Sequence, residues 1–197
     1  MPMDTETGTG GAAAAMQDPL AMGGDGEQYL TFRLGDEEYG VDILRVEEIK
    51  GWEGASRIPN APEHVRGVMN VRGSIVPVID LRLRFGLPGR EYDRFTVVVM
   101  VRVESDGRTR VVGLVVDALA EVYALPADSI RPAPDLGESV KTDFIRGLAS
   151  VEERMVVLLE VDRLLDAETL AVGPALSAAT EDSHAHHRGG ESQGRSG

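Results

Sequence analysis

Asn70-Val71-Arg72-Gly73-Ser74-Ile75-Val76-Pro77-Val78 is the stretch on which the fold turns. A short turn carries an arginine and a glycine, and a Val- and Ile-rich run follows through Ile79 to Asp80 and Leu81. An apolar run of this length, led in by Gly and Ser, reads as a buried strand. The turn therefore puts Arg72 at the lip of a rigid sheet. Arg66 to Val71 forms the other arm of the same hairpin.

That hairpin is written twice. Val65-Arg66-Gly67-Val68 matches Ile145-Arg146-Gly147-Leu148, and Ile75-Val76-Pro77-Val78-Ile79-Asp80 matches Met155-Val156-Val157-Leu158-Leu159-Glu160, ungapped and at a constant offset of 80 residues. A looser echo relates Gly40-Val41-Asp42-Ile43 to Gly113-Leu114-Val115-Val116, and Glu48-Ile49 to Glu121-Val122. Repeats at this long period mean two similar small barrels, not a solenoid. Each half is near the size at which a single core is marginal, so the two should pack together. The echo breaks at one place: Arg72-Gly73 in the first copy is Glu152-Glu153 in the second. A site confined to one half would look like this.

The rest of the chain is punctuated by Gly and Pro between short strands. Leu30, Phe32 and Leu34 alternate with Thr31 and Arg33, a half-buried strand, and Glu38 to Asp42 returns after the Gly35-Asp36-Glu37 turn. Ile43 to Glu47 reads as one helical turn before a strand through Ile49, Gly51 and Trp52. Arg57 to Pro62 is a loop, since Pro59 and Pro62 stop ladders and helices alike, and Pro62-Glu63-His64 opens a short helical turn. Leu81 to Phe85 reads as a short helix. Phe95, Val97, Val99, Val101 and Val103 point one way along a long strand, Asp106-Gly107 signals a hairpin, and Arg110 to Val116 returns. Glu121 to Leu125 and Met155 to Val161 are strands, Pro126 to Leu136 is a proline-broken loop, and Asp162 to Leu170 is a brief amphipathic helix. This is a mainly β architecture with short helices, closed or sandwiched to hide its edges.

Composition bounds the function. Residues 1–27 hold five acids and no base, and residues 171–197 are Gly-, Ser-, Ala- and His-rich; both are expected to be disordered tails around one unit, residues 28–170. A unit of that size buries about 70% of its unfolded surface. The 197-residue chain has no cysteine, which excludes disulfides and thiolate metal sites. No apolar run reaches the roughly 18 residues of a membrane span, and no secretory signal opens the chain, so a cytoplasmic protein is expected. Its net charge of −13 leaves a core with 25 acids against 18 bases. Such a surface repels phosphate backbones and anionic leaflets, so neither nucleic acid nor direct membrane contact is expected.

The runs Gly35-Asp36-Glu37-Glu38-Tyr39-Gly40-Val41-Asp42-Ile43-Leu44, Arg66 through Leu81, Arg110-Val111-Val112-Gly113-Leu114-Val115-Val116-Asp117 and Ile130-Arg131-Pro132-Ala133-Pro134 resemble the CheW family of chemotaxis coupling proteins. The regulatory domain of the histidine kinase CheA shares that fold, but the order of the runs, with nothing attached, points to the coupling proteins. The resemblance implies two SH3-like five-stranded β-barrels, intertwined and packed on a common core. It implies a non-catalytic adaptor, without cofactor, that binds the cytoplasmic tip of methyl-accepting chemoreceptors and the CheA regulatory domain together, at receptor arrays beneath the inner membrane. The alternative is a coupling protein of a chemosensory-like pathway that controls pili or another non-flagellar output. By the resemblance, Val46, Gly67 and Arg72 contribute to a receptor-binding groove between the barrels, with Gly73 beside Arg72 in the turn. The kinase surface lies mainly on the first barrel, along Ile49, Gly51, Trp52 and Arg57, and a contact from the other barrel closes kinase–adaptor rings.

Read from the residues alone, the alternatives stay open: Arg72 as a solvated turn arginine, Val46 and Trp52 as core, Gly67 and Gly147 as structural glycines. The always-charged, planar fork of Arg72 suits a carboxylate or carbonyls on a partner helix, and Glu48 is the candidate to hold it before binding. Gly67 and Gly147 occupy equivalent strand positions, which marks close backbone approach in both copies. Trp52, the only tryptophan, stands beside a proline loop where it can anchor a partner. An enzyme using Arg72, Asp80 and His64 lacks a nucleophile–base set, and no Gly-rich loop leads a strand into a helix. His64 has no companions at ligand spacing, and His184-Ala185-His186-His187 is read as an adventitious cluster in the tail. A stand-alone SH3-like peptide binder needs an exposed aromatic row, and the whole chain has nine aromatics.

Overall fold

The structure is a computed structural model, and it describes residues 26–105, 107–133 and 143–165. In chain order the strands are β1 (Glu27–Leu34), β2 (Glu37–Asp42), β3 (Val46–Gly51), β4 (Val65–Val71), β5 (Ser74–Asp80), β6 (Val97–Ser105), β7 (Arg108–Val116), β8 (Ala118–Leu125), β9 (Ile130–Arg131), β10 (Ile145–Val151) and β11 (Arg154–Leu159). Two one-turn helices, α1 (Leu81–Arg84) and α2 (Val161–Leu164), follow β5 and β11, and 3-10 turns span Ile43–Arg45 and Ala127–Ser129. The chain is mainly β, in two curled sheets that match the expected pair of SH3-like barrels.

The sheets interleave the two halves of the sequence. One runs β3-β6-β7-β5-β4 and the other β8-β1-β2-β11-β10-β9. Each half thus lends its long hairpin to the other half's barrel: β6–β7 joins β3, β4 and β5, while β1–β2 joins β8, β10 and β11. The second sheet has a sixth member, the two-residue β9 on β10.

The repeat read from the sequence is a repeat of register. Val65 pairs with Ile79, Gly67 with Val78 and Val71 with Ser74; 80 residues on, Ile145 pairs with Leu159, Gly147 with Leu158 and Val151 with Arg154. Both hairpins bulge at the second residue, between Val65 and Gly67 and between Ile145 and Gly147. The parallel joins agree as well: Val78 sits opposite Gly113, and Leu158 opposite Gly40. The echo of Gly40 in Gly113 is therefore structural.

Three apolar clusters hold the sheets. Met69, Val71, Val76, Val78, Val98, Met100 and Val115 fill the first barrel, with Trp52 and Tyr92 packed against them. Tyr29, Leu125, Ala149, Val156 and Leu158 fill the second. Between them lies the largest cluster, to which β1, β2, β6, β7, α1 and α2 all contribute, from Phe32 and Val41 to Val101, Leu114 and Leu164. A buried ion pair ties this middle layer together. The carboxylate of Asp117 accepts from the Gly35 backbone N–H at 2.7 Å and from Nη1 of Arg82 at 2.6 Å, joining the β1–β2 turn to α1.

Several boundaries differ from expectation. β1 begins at Glu27, one residue inside the segment read as a tail. The helical turn stops at Arg45, so Val46 opens β3, and that strand ends at Gly51, one residue short of Trp52. β8 starts at Ala118, three residues before Glu121, because β1 supplies a partner along its length. β11 ends at Leu159, where Glu160 begins the cap of α2. Phe95 does not share the face of Val97 to Val103. It precedes β6 in a turn whose N–H groups are accepted by Asp93, and it is 56% exposed. The expected tails, Asp106, Pro134 to Leu136 and the end of the last helix lie outside the described residues.

Gly67 has φ +132°, and a Cβ there would lie 2.0 Å from the Ser56 carbonyl oxygen. Gly51 has open space around it. Urea unfolding of Gly67→Ala is expected to lose about 2 kcal/mol or more, from the clash and the strained backbone. Gly51→Ala stays within about 0.5 kcal/mol of the parent. Asp117→Ala, which leaves the Arg82 guanidinium buried and unpaired, is expected to cost about 3 kcal/mol in the same assay.

Candidate functional site

The β4–β5 hairpin closes through two residues in the left-handed region, Arg72 at φ +52° and Gly73 at φ +89°. Tight hairpins demand this geometry because it matches the strand twist. Glycine adopts it freely and arginine does not. Asn70 compensates, its Oδ1 accepting the Gly73 N–H at 2.9 Å. The result is a stiff turn that holds Arg72 out from the sheet with its side chain 82% exposed.

One carboxylate reaches it. Nη2 of Arg72 lies 3.4 Å from Oε1 of Glu48 on β3, whose side chain is 27% exposed. An exposed pair of this kind contributes between nothing and about 1 kcal/mol. The contact leaves most of the Arg72 fork exposed at the rim. The sequence reading paired these two residues, and the structure brings them together.

β3 sorts the remaining candidates. Along it Val46, Glu48 and Lys50 are half-buried, while Glu47, Ile49 and Gly51 are exposed. A register shift between Val46 and Glu48 puts Val46 on the face of Ile49 and Gly51, opposite Val101, Val99 and Val97, and leaves Glu48, opposite Met100, on the other face. Val46 packs on the shared core and Ile49 is 40% exposed. A groove of about 450 Å³, lined by Lys50, Ser56, Met69 and Asn70 among others, continues from the Arg72 turn between β3 and β4.

Gly67 is buried, with the Ser56–Arg57 backbone laid directly over it and Ser56 bridged to Val68. It presents no surface of its own. Its lack of a side chain lets the loop carrying exposed Arg57 lie flat on β4. Gly147 is the counterpart, with the Arg131 carbonyl 2.7 Å from where its Cβ would be.

Trp52 leaves the ladder but keeps its N–H on the Thr96 carbonyl at 3.0 Å. Its ring meets Tyr92 edge-on, with centroids 4.6 Å apart. The Tyr92 hydroxyl donates to Oδ2 of buried Asp80 at 2.6 Å, while Oδ1 of Asp80 accepts the Leu83 N–H that starts α1. Burial, reinforced by that bond to Asp80, holds the Tyr92 phenol above its usual range, so it remains a donor. Tyr92 and Arg66, whose guanidinium lies 5.4 Å above the Tyr92 ring, belong to this surface and were not singled out from the sequence. Tyr92 sits in irregular chain where no periodicity marks it.

Asp80 serves as a helix cap and the acceptor for Tyr92, and the His64 carbonyl accepts the Asp80 N–H at 2.8 Å. Among the described residues, no group of three His, Cys, Asp or Glu is arranged to hold a metal ion, and no helix is long and apolar enough to cross a membrane.

Comparison with known proteins agrees with this geometry. The family model "CheW-like domain" matches residues 28–169. The chain is 43% identical to the chemotaxis protein CheW of Klebsiella aerogenes, over 82% of this chain and 95% of that protein. It is 37% identical to the chemotaxis protein CheW of Rhizobium meliloti, over 73% and 90%. FrzA of Myxococcus xanthus is 29% identical over 71% and 85%. The crystal structure of the scaffolding protein TtCheW from Thermoanaerobacter tengcongensis superposes with a TM-score of 0.63 at 34% identity, covering 71% of this chain and 92% of that one.

A double-mutant cycle with Glu48→Gln and Arg72→Gln, read by chemical denaturation at low salt, is expected to give a coupling of about 0.2–0.5 kcal/mol. The coupling should fade toward zero as NaCl approaches about 1 M, where the Debye length is about 3 Å. A coupling of zero at low salt would remove Glu48 as the residue that orients Arg72.

Proposed function

The chain belongs to the CheW-like domain family of non-catalytic chemotaxis scaffolds, and on that premise we propose that it couples methyl-accepting chemoreceptors to the histidine kinase CheA. The receptor's cytoplasmic tip meets the rim formed by Val46, Glu48, Arg72 and Gly73. Gly67 acts there by letting the overlying loop lie close. The kinase regulatory domain meets the end of β3, through Ile49 and Gly51, and continues onto Trp52 and Arg57.

The observation that carries this reading is the turn at Arg72. A strained, glycine-assisted hairpin holds a largely exposed guanidinium, aimed by one carboxylate, on the barrel whose counterpart turn bears two glutamates. Strain of this sort persists where the surrounding structure holds it, and it collects at binding sites. Simultaneous binding is supported at Glu48 and Ile49, neighbours on β3 that lie opposite Met100 and Val99 and so leave the strand on opposite faces.

Area permits it too. A unit of roughly 16 kDa exposes about 7,000 Å², and a standard contact takes about 800 Å² from each side. Bound to both, the adaptor keeps the kinase at high effective concentration beside the receptor tip. It adds no chemistry, only fixed geometry. Identity to FrzA supports, as a second reading, a chemosensory-like pathway with a non-flagellar output. A deletion strain that swims up gradients normally but loses surface movement would favour that reading.

Co-sedimentation with receptor-bearing membranes tests the first reading. The wild-type chain is expected to carry CheA into the pellet. Arg72→Glu should weaken its own membrane association about tenfold, with an unchanged melting curve. Full retention of the variant would overturn the assignment of Arg72.

A further inference from the structure

The sheet of the first barrel curls, but its two ends do not pair. Those ends are β3 and β4, the outermost strands in the order β3-β6-β7-β5-β4. The N–H of Trp52 donates to the Thr96 carbonyl, which sets the phase of β3. The backbone groups of Lys50 and Trp52 turn toward β6, and those of Ile49 and Gly51 turn away. On β4, Val68 exchanges both its backbone bonds with Ser56, so Asn70, two residues on, directs its N–H and C=O the same way. Among the described residues, Ile49, Gly51 and Asn70 make no backbone bond on their outer sides.

The groove of about 450 Å³ lies between these two free edges. Residues 52–56 close it at one end, where Ser56 bridges to Val68, and the Arg72 turn stands at the other. Lys50 lines it, opposite Val98 and half-buried, and makes no ion pair among the described residues. The acid in the lining, Glu53, belongs to the closing loop.

Open edges pair with any extended chain that reaches them, and proteins cover or blunt them for that reason. No proline interrupts β3 or β4, and Gly51 has open space beside it. A segment added there gains affinity from main-chain bonds and is selected through its side chains. Lys50 selects for an acid.

A segment of this chain outside the described residues has those properties. In Asp4-Thr5-Glu6-Thr7-Gly8-Thr9, β-branched threonines alternate with Asp4, Glu6 and Gly8, which is the period of a strand, and no base occurs. The described chain begins at Gly26, against the backbone of Leu125 and Pro126. Residues 10–25 span up to about 50 Å from that point. So tethered, the segment meets the groove at an effective concentration on the order of millimolar.

We propose that residues 4–9 add as a strand between the free edges of β3 and β4, with Glu6 on Lys50, and so close the first barrel. The segment covers its own chain's open edges against pairing with other chains. No receptor or kinase takes part, so the contact stands whether or not the coupling function does.

Native-state hydrogen exchange of the full chain, followed amide by amide by NMR, tests this. The reference is Thr5→Pro/Thr7→Pro, which removes two donors from the added strand and leaves the described residues untouched. The Ile49, Gly51 and Asn70 amides are expected to exchange about tenfold or more slowly in wild type than in the proline variant. The Val68 amide, held by Ser56, is expected to exchange alike in both. Lys50→Gln should speed the three amides about threefold, and unchanged rates would remove Glu6 as the partner of Lys50. Rates within about twofold of each other in wild type and the proline variant would refute the added strand. Protection that falls away on about fiftyfold dilution would make a second copy the occupant and overturn the proposal.

Discussion

β6 is buried on both faces, and the rest of the molecule is arranged to keep it so. Val98 and Met100 point into the first barrel, while Val99, Val101 and Val103 point into the layer shared by both. A strand with two apolar faces needs cover on each side. One cover is the closure of its own barrel. The other is β1 and β2, whose Leu30, Phe32, Leu34 and Val41 lie in the same middle layer. β1 is in the mirror situation, with Tyr29 turned into the second barrel. Neither barrel can form from one half of the chain, and neither can tilt against the other without opening the largest apolar cluster. A scaffold benefits from that rigidity.

The duplication was legible because it is a duplication of register. Apolar alternation, the glycine at the bulge and the two-residue turn recur at one offset, and each is fixed locally by sequence. The partner of each hairpin was not legible from the residues alone, since Val-rich strands carry no label of the sheet they join. Phe95 shows the limit of alternation. It is in phase with Val97 and Val99, yet the Asp93 turn ends the strand before reaching it. The Glu48–Arg72 pair was readable from charge. Tyr92 and Arg66 were not: one lies in irregular chain, and the other sits in a motif whose glycine drew the attention.

The second barrel shows what the repeat does and does not constrain. Where the first barrel has Met100 and Val111, the register puts Thr31 and Glu38 in the second. The Thr31 hydroxyl donates to Oε1 of buried Glu38 at 2.7 Å and accepts the Glu121 N–H at 3.1 Å, and Arg154 approaches the other carboxylate oxygen at 3.4 Å. A buried carboxylate is tolerated when its oxygens are met in this way. The apolar pair and the polar network satisfy the same backbone.

The turns make the same point about function. Glu152 and Glu153 have φ values of +46° and +68°, beside +52° and +89° for Arg72 and Gly73. Two glutamates held in the left-handed region cost of order 1–3 kcal/mol each, so ordinary selection for turn stability would favour Asn-Gly there. The fold therefore imposes this backbone on both barrels, whatever residues fill it. The charge at the turn is not imposed by the fold, because opposite signs are accommodated on equivalent loops. The guanidinium at Arg72 is on that account a feature of this surface and not a requirement of the fold, whereas Glu48 has its counterpart in Glu121.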